Sequence, residues 1–121
     1  MNKTIVITGA AKRIGKEIAL SFFQKGWDIV IHYNSSSEDA NVLAEEMNAQ
    51  RSNSAVIIQA DLNKGDEIEK LAEEALSKKE RIDALINNAS TFYPTPIGSF
   101  SEESWDNLMG SNLKAPLFLI Q

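Results

Sequence analysis

The residue types that could do chemistry lie first in residues 9–15, where Gly9 and Gly15 flank the two cations Lys12 and Arg13. A β-branched run before them predicts a buried strand over residues 4–8, and a helix is expected to begin near residue 12 or 13. Such a turn directs free backbone N–H groups and the positive end of the helix dipole at one point, which suits a phosphate. The alternative is an ordinary turn with a solvated basic pair, but two cations oppose the dipole unless an anion lies between them.

Other reactive groups follow later apolar runs of the chain. They are a carboxylate at Asp61, paired amides at Asn87 and Asn88, and an aromatic ring at Phe92. Taken alone, the paired asparagines are an ordinary turn signal. Their position at the end of a fourth alternating strand makes them more specific, because the ligand crevice of a parallel sheet lies outside such strand ends.

Four strands and the helices between them must position these groups. We predict strands over residues 4–8, 27–33, 54–60 and 81–87. Beyond the first helix, helices are predicted over about 38–48, after residue 61, and from Ser99 or Ser101. Strands that alternate with helices imply right-handed crossovers and a parallel sheet in the order 3-2-1-4. This is the doubly wound α/β (Rossmann) fold, with its ligand crevice between strands 1 and 4.

Apolar residues at helical spacing indicate which helix faces pack inward. The first helix carries Ile14, Ile18 and Phe22, with Gly15 and Ala19 as the small residues that face the strand. The second carries Ala40, Leu43, Ala44 and Met47. The third carries Ile68, Leu71, Ala72, Ala75 and Leu76. The last is predicted to turn inward Trp105, Leu108, Met109 and Leu113.

Composition excludes several classes of function. The chain has 121 residues, enough for one domain with a core, and a net charge of -5, which disfavours a nucleic-acid surface. It has no cysteine and one histidine, so we expect no disulfide and no metal site. Neither a signal-peptide pattern nor an apolar run of membrane-spanning length is present, so we expect a cytoplasmic protein with no membrane partner.

The motifs at these strand ends resemble those of a known family. TGAAKRIG at residues 8–15 resembles the cofactor loop of the short-chain dehydrogenases/reductases, TGxxxGxG, and the arginine at the middle glycine is similar to the pteridine reductase branch. NNAS at residues 87–90 resembles the family's NNAG motif, with a serine that the same branch also has. The resemblance covers the whole chain but only about the first half of a typical member. It implies that residues 1–121 are the N-terminal, cofactor-binding half of a single Rossmann-fold reductase domain, with further strands beyond them.

The resemblance also implies a set of cofactor-binding residues in the loops after the four strands. They are Gly9, Lys12, Arg13, Ile14, His32, Tyr33, Asn34, Ser35, Asp61, Leu62, Asn88, Ala89 and Ser90. For Asp61 and Leu62 the implied role is contact with the adenine. A compatible and simpler role is that Asp61 or Asn63 caps the following helix.

The loop after the second strand bears on the choice of cofactor. In a doubly wound sheet it lies beside the adenosine ribose, where an acidic residue would favour NAD. No acid appears until Glu38, and hydroxyls and amides could instead donate to a 2′-phosphate. We therefore predict NADP(H), although Ser36 or Ser37 is also expected to cap the next helix.

The loop at residues 91–98, TFYPTPIG, carries the substrate prediction. NNASTFYPTP is similar to the pteridine reductase segment in which a phenylalanine stacks on the pterin, which implies a substrate pocket formed by Arg13, Ser90 and Phe92. The alternative is that the Phe92 ring packs against the protein, as aromatic residues more often do.

Asn112 is the one catalytic candidate within the sequence. It follows Trp105 by seven residues and so lies on or beside the apolar stripe, while Pro116 has no N–H to offer its carbonyl and should kink the helix. The resemblance implies a catalytic asparagine that anchors a water linked to the active lysine. A core asparagine in a kinked helix is the alternative.

The family's catalytic serine and Tyr-x-x-x-Lys pair would lie beyond Gln121, and neither Tyr33 nor Tyr93 has a lysine four residues later. We therefore expect this stretch alone to be inactive. The main hypothesis is an NADPH-dependent reductase that transfers hydride to a small pterin-like substrate. The alternatives are a 3-oxoacyl thioester or other ketone reductase, and an NADP(H)-binding protein without catalysis. The resemblance further implies a tetramer or dimer that pairs through the helix of Asn112.

Overall fold

Four parallel strands organise the chain in a computed structural model that describes residues 2–121. They are β1 (Thr4–Ile7), β2 (Asp28–Tyr33), β3 (Ala55–Gln59) and β4 (Ala84–Ile86). All pairings are parallel and the order is β3-β2-β1-β4. The predicted strand order and fold class are confirmed.

Five α-helices and one π-helical turn connect and cover the sheet. They are α1 (Arg13–Gln24), α2 (Ser37–Gln50), α3 (Gly65–Lys78), α4 (Glu102–Met109), the π-helical turn (Gly110–Lys114) and α5 (Ala115–Ile120). Helix α4 begins after Ser101, whose hydroxyl oxygen accepts the Ser104 N–H at 3.1 Å, so the predicted cap is confirmed. Ser36 holds the same position before α2, but its side chain makes no capping hydrogen bond.

The two faces of the sheet bury separate cores because strand residues alternate in direction. On one face, Ile5, Ile7 and Ile31 pack with buried residues of α1 and α2. On the other face, Val6 and Val30 pack with buried residues of α3 and with Ala115 of α5. A sheet covered by helices on both faces is the doubly wound arrangement, and it leaves the carboxyl ends of the strands open for a ligand.

Strand β4 is shorter than predicted because a side chain, and not a backbone carbonyl, accepts the hydrogen bond at its start. The Asp83 carboxylate accepts the Thr4 N–H at 2.8 Å, and the Asp83 N–H donates to the Thr4 carbonyl at 2.8 Å. Arg81 pairs with the same carboxylate. Since Asp83 accepts through its side chain, the regular ladder begins only at Ala84.

Five residues predicted to face inward are exposed, namely Ile14, Ala72, Leu76, Trp105 and Leu113. The buried face of α1 runs through Gly15, Ala19 and Phe23, and Ile14 lies one position, about 100°, from it. In the same way, Ala72 and Leu76 each lie one position after a buried residue of α3, Leu71 and Ala75. Trp105 lies in α4 and Leu113 lies within the π-helical turn, which adds a residue between them and breaks the helical spacing that the prediction assumed.

Candidate functional site

The loop between β1 and α1 folds tightly against the end of β4. Gly9 has φ +63°, and a Cβ there would lie 3.1 Å from the Ala89 Cα. A Cβ on Gly15 would overlap the Gly9 carbonyl oxygen and lie 2.7 Å from the Asn88 Nδ2. Both glycines therefore allow a backbone approach that a larger residue would block.

Thr8 and Asn88 join this loop to the end of β4. The Thr8 hydroxyl oxygen accepts the backbone N–H groups of Asn88 at 3.0 Å and Ala89 at 2.9 Å. The Asn88 side-chain amide donates back to the carbonyls of Thr8 at 3.1 Å and Gly9 at 3.2 Å. From the sequence, the asparagines were predicted to lie at the ligand crevice, but Thr8 had no predicted role. The only signal was its position, as the last residue before Gly9.

His32 does not present its ring to solvent. The side chain is buried near the end of β2, with Nδ1 3.0 Å from the Gly9 nitrogen and Nε2 2.9 Å from the Ala60 carbonyl oxygen. Burial lowers the pKa of His32 below its ordinary value near 6.5, and the bond to Ala60 partly offsets this. Both ring nitrogens are already bonded within the protein, so the side chain supports the loop and offers no nitrogen to a ligand.

Two adjoining clefts open at the carboxyl ends of the strands. The first is lined by the loop and by the end of β4 through Gly9, Lys12, Arg13, Ile14, Gly15, Asn88, Ala89 and Ser90. The second lies towards β2 and β3 and includes Asn34, Asp61 and Leu62. Because Gly9, Ala89 and Ser90 line both, the two form one continuous crevice between β1 and β4.

The cations lie at the start of α1, on the rim of the first cleft. Lys12 and Arg13 are both exposed, and Arg13 has φ +57°. A non-glycine residue in this left-handed region is uncommon and strained, and such residues concentrate at functional sites. The cleft thus combines a helix N-terminus with two exposed cations, which is an arrangement that can bind a phosphate.

Asp61 is held in a turn and does not cap α3. Its carboxylate accepts the Asn63 N–H at 3.0 Å, while its own N–H donates to the Glu67 side chain at 2.9 Å. Lys64 holds the N-cap position of α3 without a side-chain hydrogen bond, so the predicted cap by Asp61 or Asn63 is wrong. The reason is that the Asp61 carboxylate is used two residues along its own loop.

Three predicted contact residues lie apart from the two clefts. Tyr33 packs against the core of α1 and α2, and Ser35 is exposed beyond the end of β2. Phe92 is 88% exposed in the loop after β4. Its neighbour Tyr93 is tied to α4, since the Tyr93 hydroxyl oxygen accepts the Asn107 amide at 3.4 Å.

Asn112 fastens the loop after β4 to the last helical segment. Its side chain accepts the Thr91 N–H at 3.1 Å and donates to the Thr91 carbonyl at 2.7 Å. Asn112 lies in the π-helical turn and is exposed beside buried Ser111, so the alternative of a core asparagine is wrong. The Ala115 N–H bonds to the Gly110 carbonyl, five residues back, so the irregularity before Pro116 is a π-helical turn.

A family model for the short chain dehydrogenase matches residues 3–121, which include every strand and helix of the fold. The chain belongs to the short-chain dehydrogenase family. Members of this family bind nicotinamide cofactors, and the crevice lies where a doubly wound sheet binds a dinucleotide.

Individual short-chain dehydrogenases resemble the chain over most of its length. It is 34% identical to a 3-oxoacyl-(acyl-carrier-protein) reductase, FabG, of Staphylococcus epidermidis, over all of this chain and 49% of that protein. It is 36% identical to pteridine reductase 1 of Leishmania tarentolae, over 96% of this chain and 51% of that protein. It is 34% identical to a hydroxynaphthalene reductase-like protein, Arp2, of Metarhizium anisopliae, over 98% of this chain and 44% of that protein. The chain thus spans about half the length of these relatives.

The part of the chain that the structure describes contains neither a metal-binding cluster nor a membrane-spanning helix. Within residues 2–121, no group of three or more histidine, cysteine, aspartate or glutamate side chains is placed to hold a metal ion. None of the described helices is long and apolar enough to cross a membrane.

Proposed function

We propose that the chain is the cofactor-binding half of an NADPH-dependent reductase that transfers hydride to a pterin-like substrate. The observation that carries the proposal is the position of Arg13, which shares one cleft with Ser90 at the crevice between β1 and β4. There its guanidinium can pair with a cofactor phosphate or with an anionic edge of the substrate. The cofactor would supply the hydride, and the residues described here would bind and orient it.

The preference for NADPH is supported by the charges at the end of β2. Asn34 lines the second cleft, and its backbone and side-chain oxygens both accept the Gln59 amide, at 3.2 and 3.1 Å. The first acid after β2 is Glu38, which is exposed on α2. A 2′-phosphate would therefore meet amide and hydroxyl groups on the loop after β2, since the carboxylate that lines this cleft, Asp61, belongs to the loop after β3.

We expect the protein to bind NADPH at least about tenfold tighter than NADH, a difference of about 1.4 kcal/mol. The substitution Asn34→Asp should remove most of this preference, because a carboxylate repels the 2′-phosphate and accepts the ribose hydroxyl of NADH. Asn41→Asp is the control, since Asn41 is exposed on α2 and the substitution changes the net charge equally. Titration of both nucleotides by cofactor fluorescence gives the affinities. Equal affinities in the unmodified protein would contradict the proposed cofactor.

The pterin substrate is supported by Phe92 and by one relative. Phe92 leaves its ring free for a planar heterocycle, since the ring is exposed in the loop that Asn112 fastens to the last helices. Arg13 and Ser90 would face the same heterocycle. The similarity to pteridine reductase 1 at 36% identity agrees with this substrate class.

A dihydropterin should accelerate NADPH oxidation by the purified protein more than a 3-oxoacyl thioester does. The intact mass is measured first, because a polypeptide about twice the 13.4 kDa of this chain can carry the missing Tyr-x-x-x-Lys pair. Phe92→Ala should raise the KM for the pterin by about tenfold, since it removes the stacking ring. The control is Ile97→Ala, which truncates another exposed apolar side chain of the same loop. If the thioester alone is reduced, the pterin assignment fails.

The second candidate is a 3-oxoacyl thioester reductase, favoured by the 34% identity to FabG over the whole chain. An NADP(H)-binding protein without catalysis would bind the nucleotide tightly and oxidise NADPH with neither substrate. The assay above separates these three functions.

Pairing of subunits is proposed through α4 and α5. Trp105, Leu113 and Leu117 expose apolar side chains on this helical segment, and exposed apolar patches often mark contact surfaces. A dimer or tetramer would cover them. The cytoplasmic location stays a prediction from sequence.

A further inference from the structure

His32 contacts the first two residues of the cofactor loop as well as the end of β3. Its ring Nδ1 lies 3.0 Å from the Gly9 nitrogen, and its backbone carbonyl accepts the Ala10 N–H at 3.0 Å. On the other side of the ring, Nε2 lies 2.9 Å from the Ala60 carbonyl oxygen. One residue of β2 thus binds two successive amides of the loop and holds them against the sheet.

The partners of the ring determine its tautomer. A backbone N–H can only donate, so Nδ1 must be the acceptor of the Gly9 bond. A backbone carbonyl can only accept, so Nε2 must carry the proton that is donated to Ala60. Only the neutral ring with its proton on Nε2 satisfies both bonds.

The Gly9 bond fixes the loop at the point where its backbone turns. Gly9 has φ +63°, and its carbonyl oxygen is the atom that Gly15 and the Asn88 amide approach. With the Gly9 and Ala10 N–H groups directed at His32, the amides that follow at the start of α1 are the ones left to bind a phosphate. A change in the backbone angles of Gly9 would disturb its contacts with His32, Gly15 and Asn88.

We propose that His32 is the positioning residue of the cofactor loop, because its ring accepts the Gly9 N–H and donates to the Ala60 carbonyl. The expected effect of His32 on NADPH affinity rests on the proposed function, that the chain binds this nucleotide. The loop conformation itself is tested separately.

The proposal predicts a dependence on pH. A protonated ring has no acceptor for the Gly9 N–H, so the loop loses its anchor and NADPH binding weakens in acid. Because burial lowers the pKa of His32, the folded protein keeps the neutral ring below pH 6.5. Below pH 6.5 the unfolded chain therefore binds more protons than the folded protein. The free energy of unfolding keeps its full value above about pH 6.5 and declines below it. The other charged groups around the site are Asp61 after β3, Lys12 and Arg13 on the loop, and Glu67 of α3, whose carboxylate accepts the Asp61 N–H at 2.9 Å.

Two variants separate the two ring bonds. In His32→Asn, the side-chain oxygen replaces Nδ1 as the acceptor of the Gly9 N–H and does not titrate. In His32→Gln, the longer side chain can donate to Ala60 in place of Nε2 but leaves Gly9 without an acceptor. At pH 8 we expect His32→Asn to bind NADPH within about threefold of the unmodified protein and His32→Gln to bind at least about tenfold more weakly. The weakening in acid should disappear in His32→Asn.

Ser54→Ala is the control for a general loss of stability. Ser54 is fully buried at the opposite end of β3, where its hydroxyl donates to the Met47 carbonyl at 3.2 Å. This variant should be destabilised in urea without a change in NADPH affinity. Equal affinity in His32→Gln and His32→Asn, or an acid profile retained in His32→Asn, would overturn the positioning role.

Amide hydrogen exchange of Gly9 and Ala10 tests the loop without the nucleotide. Both amides should be protected in the unmodified protein, and the Gly9 amide should exchange at least about tenfold faster in His32→Gln. If the unmodified protein binds neither NADPH nor NADH, the proposed function fails, and exchange alone decides the inference. Unchanged Gly9 exchange in His32→Gln overturns it.

Discussion

Replacement of Gly15 by alanine should raise the dissociation constant for NADPH at least about 100-fold and destabilise the protein by about 3 kcal/mol. The added methyl group would overlap the Gly9 carbonyl oxygen and press on Ala10 Cα at 2.9 Å. Both neighbours are backbone atoms, so relief requires the whole loop to move. Nucleotide titration and urea unfolding measure the two effects.

Gly65→Ala provides a matched control for Gly15→Ala. Gly65 is the first residue of α3, and a Cβ there would meet no atom within 4 Å. Alanine at this helical position should change the free energy of unfolding by less than about 1 kcal/mol, in the stabilising direction. NADPH affinity should not change. A Gly15→Ala protein that behaves like Gly65→Ala would show that the close approach of loop and helix does not shape the site.

Thr8→Val should lower the free energy of unfolding by about 2–5 kcal/mol, since it leaves two N–H groups without their acceptor. Valine has nearly the shape of threonine, so the buried volume is kept and only the hydroxyl is lost. The backbone N–H groups of Asn88 and Ala89 both donate to that hydroxyl. The end of β4 should then move away from the loop, and NADPH binding should weaken with it. Urea unfolding and nucleotide titration test this.

Thr8→Ser is the control because it keeps the hydroxyl and removes one methyl group. Loss of that methyl should cost about 1 kcal/mol, with NADPH affinity close to that of the unmodified protein. The difference in the free energy of unfolding between Thr8→Val and Thr8→Ser therefore measures the contribution of the hydroxyl that both N–H groups share as acceptor. A valine variant as stable as the serine variant would mean that the two amides find other partners.

The strand order was predictable because each strand has its own local pattern. Short β-branched runs alternate with residues at helical spacing, and the right-handed rule for crossovers leaves few arrangements of parallel strands. The glycines of residues 8–15 indicated a tight turn from strand to helix for the same reason. A glycine just after a strand and another just inside a helix are local signals of a close backbone approach.

The helical segment at residues 102–120 was less predictable because no sequence pattern near residues 110–114 indicated a π-helical turn. Pro116 indicated an interruption, but its missing N–H is compatible with a kink or with a change of helical register. The structure has the change of register, and it places Trp105 and Leu113 on exposed faces. Likewise, nothing near Asp83 indicates that its carboxylate replaces a backbone acceptor for Thr4, 79 residues away.

By itself, the sequence determined the fold class, the strand order, the glycines of the loop between β1 and α1 and the crevice between β1 and β4. These follow from periodicity and from residue types that act through neighbours along the chain. Only the tertiary structure decided which polar groups bind one another. A single buried histidine or threonine has the same local pattern whether it faces a ligand or a distant backbone group. Its role depends on which donors and acceptors the folded chain places within about 3 Å of it.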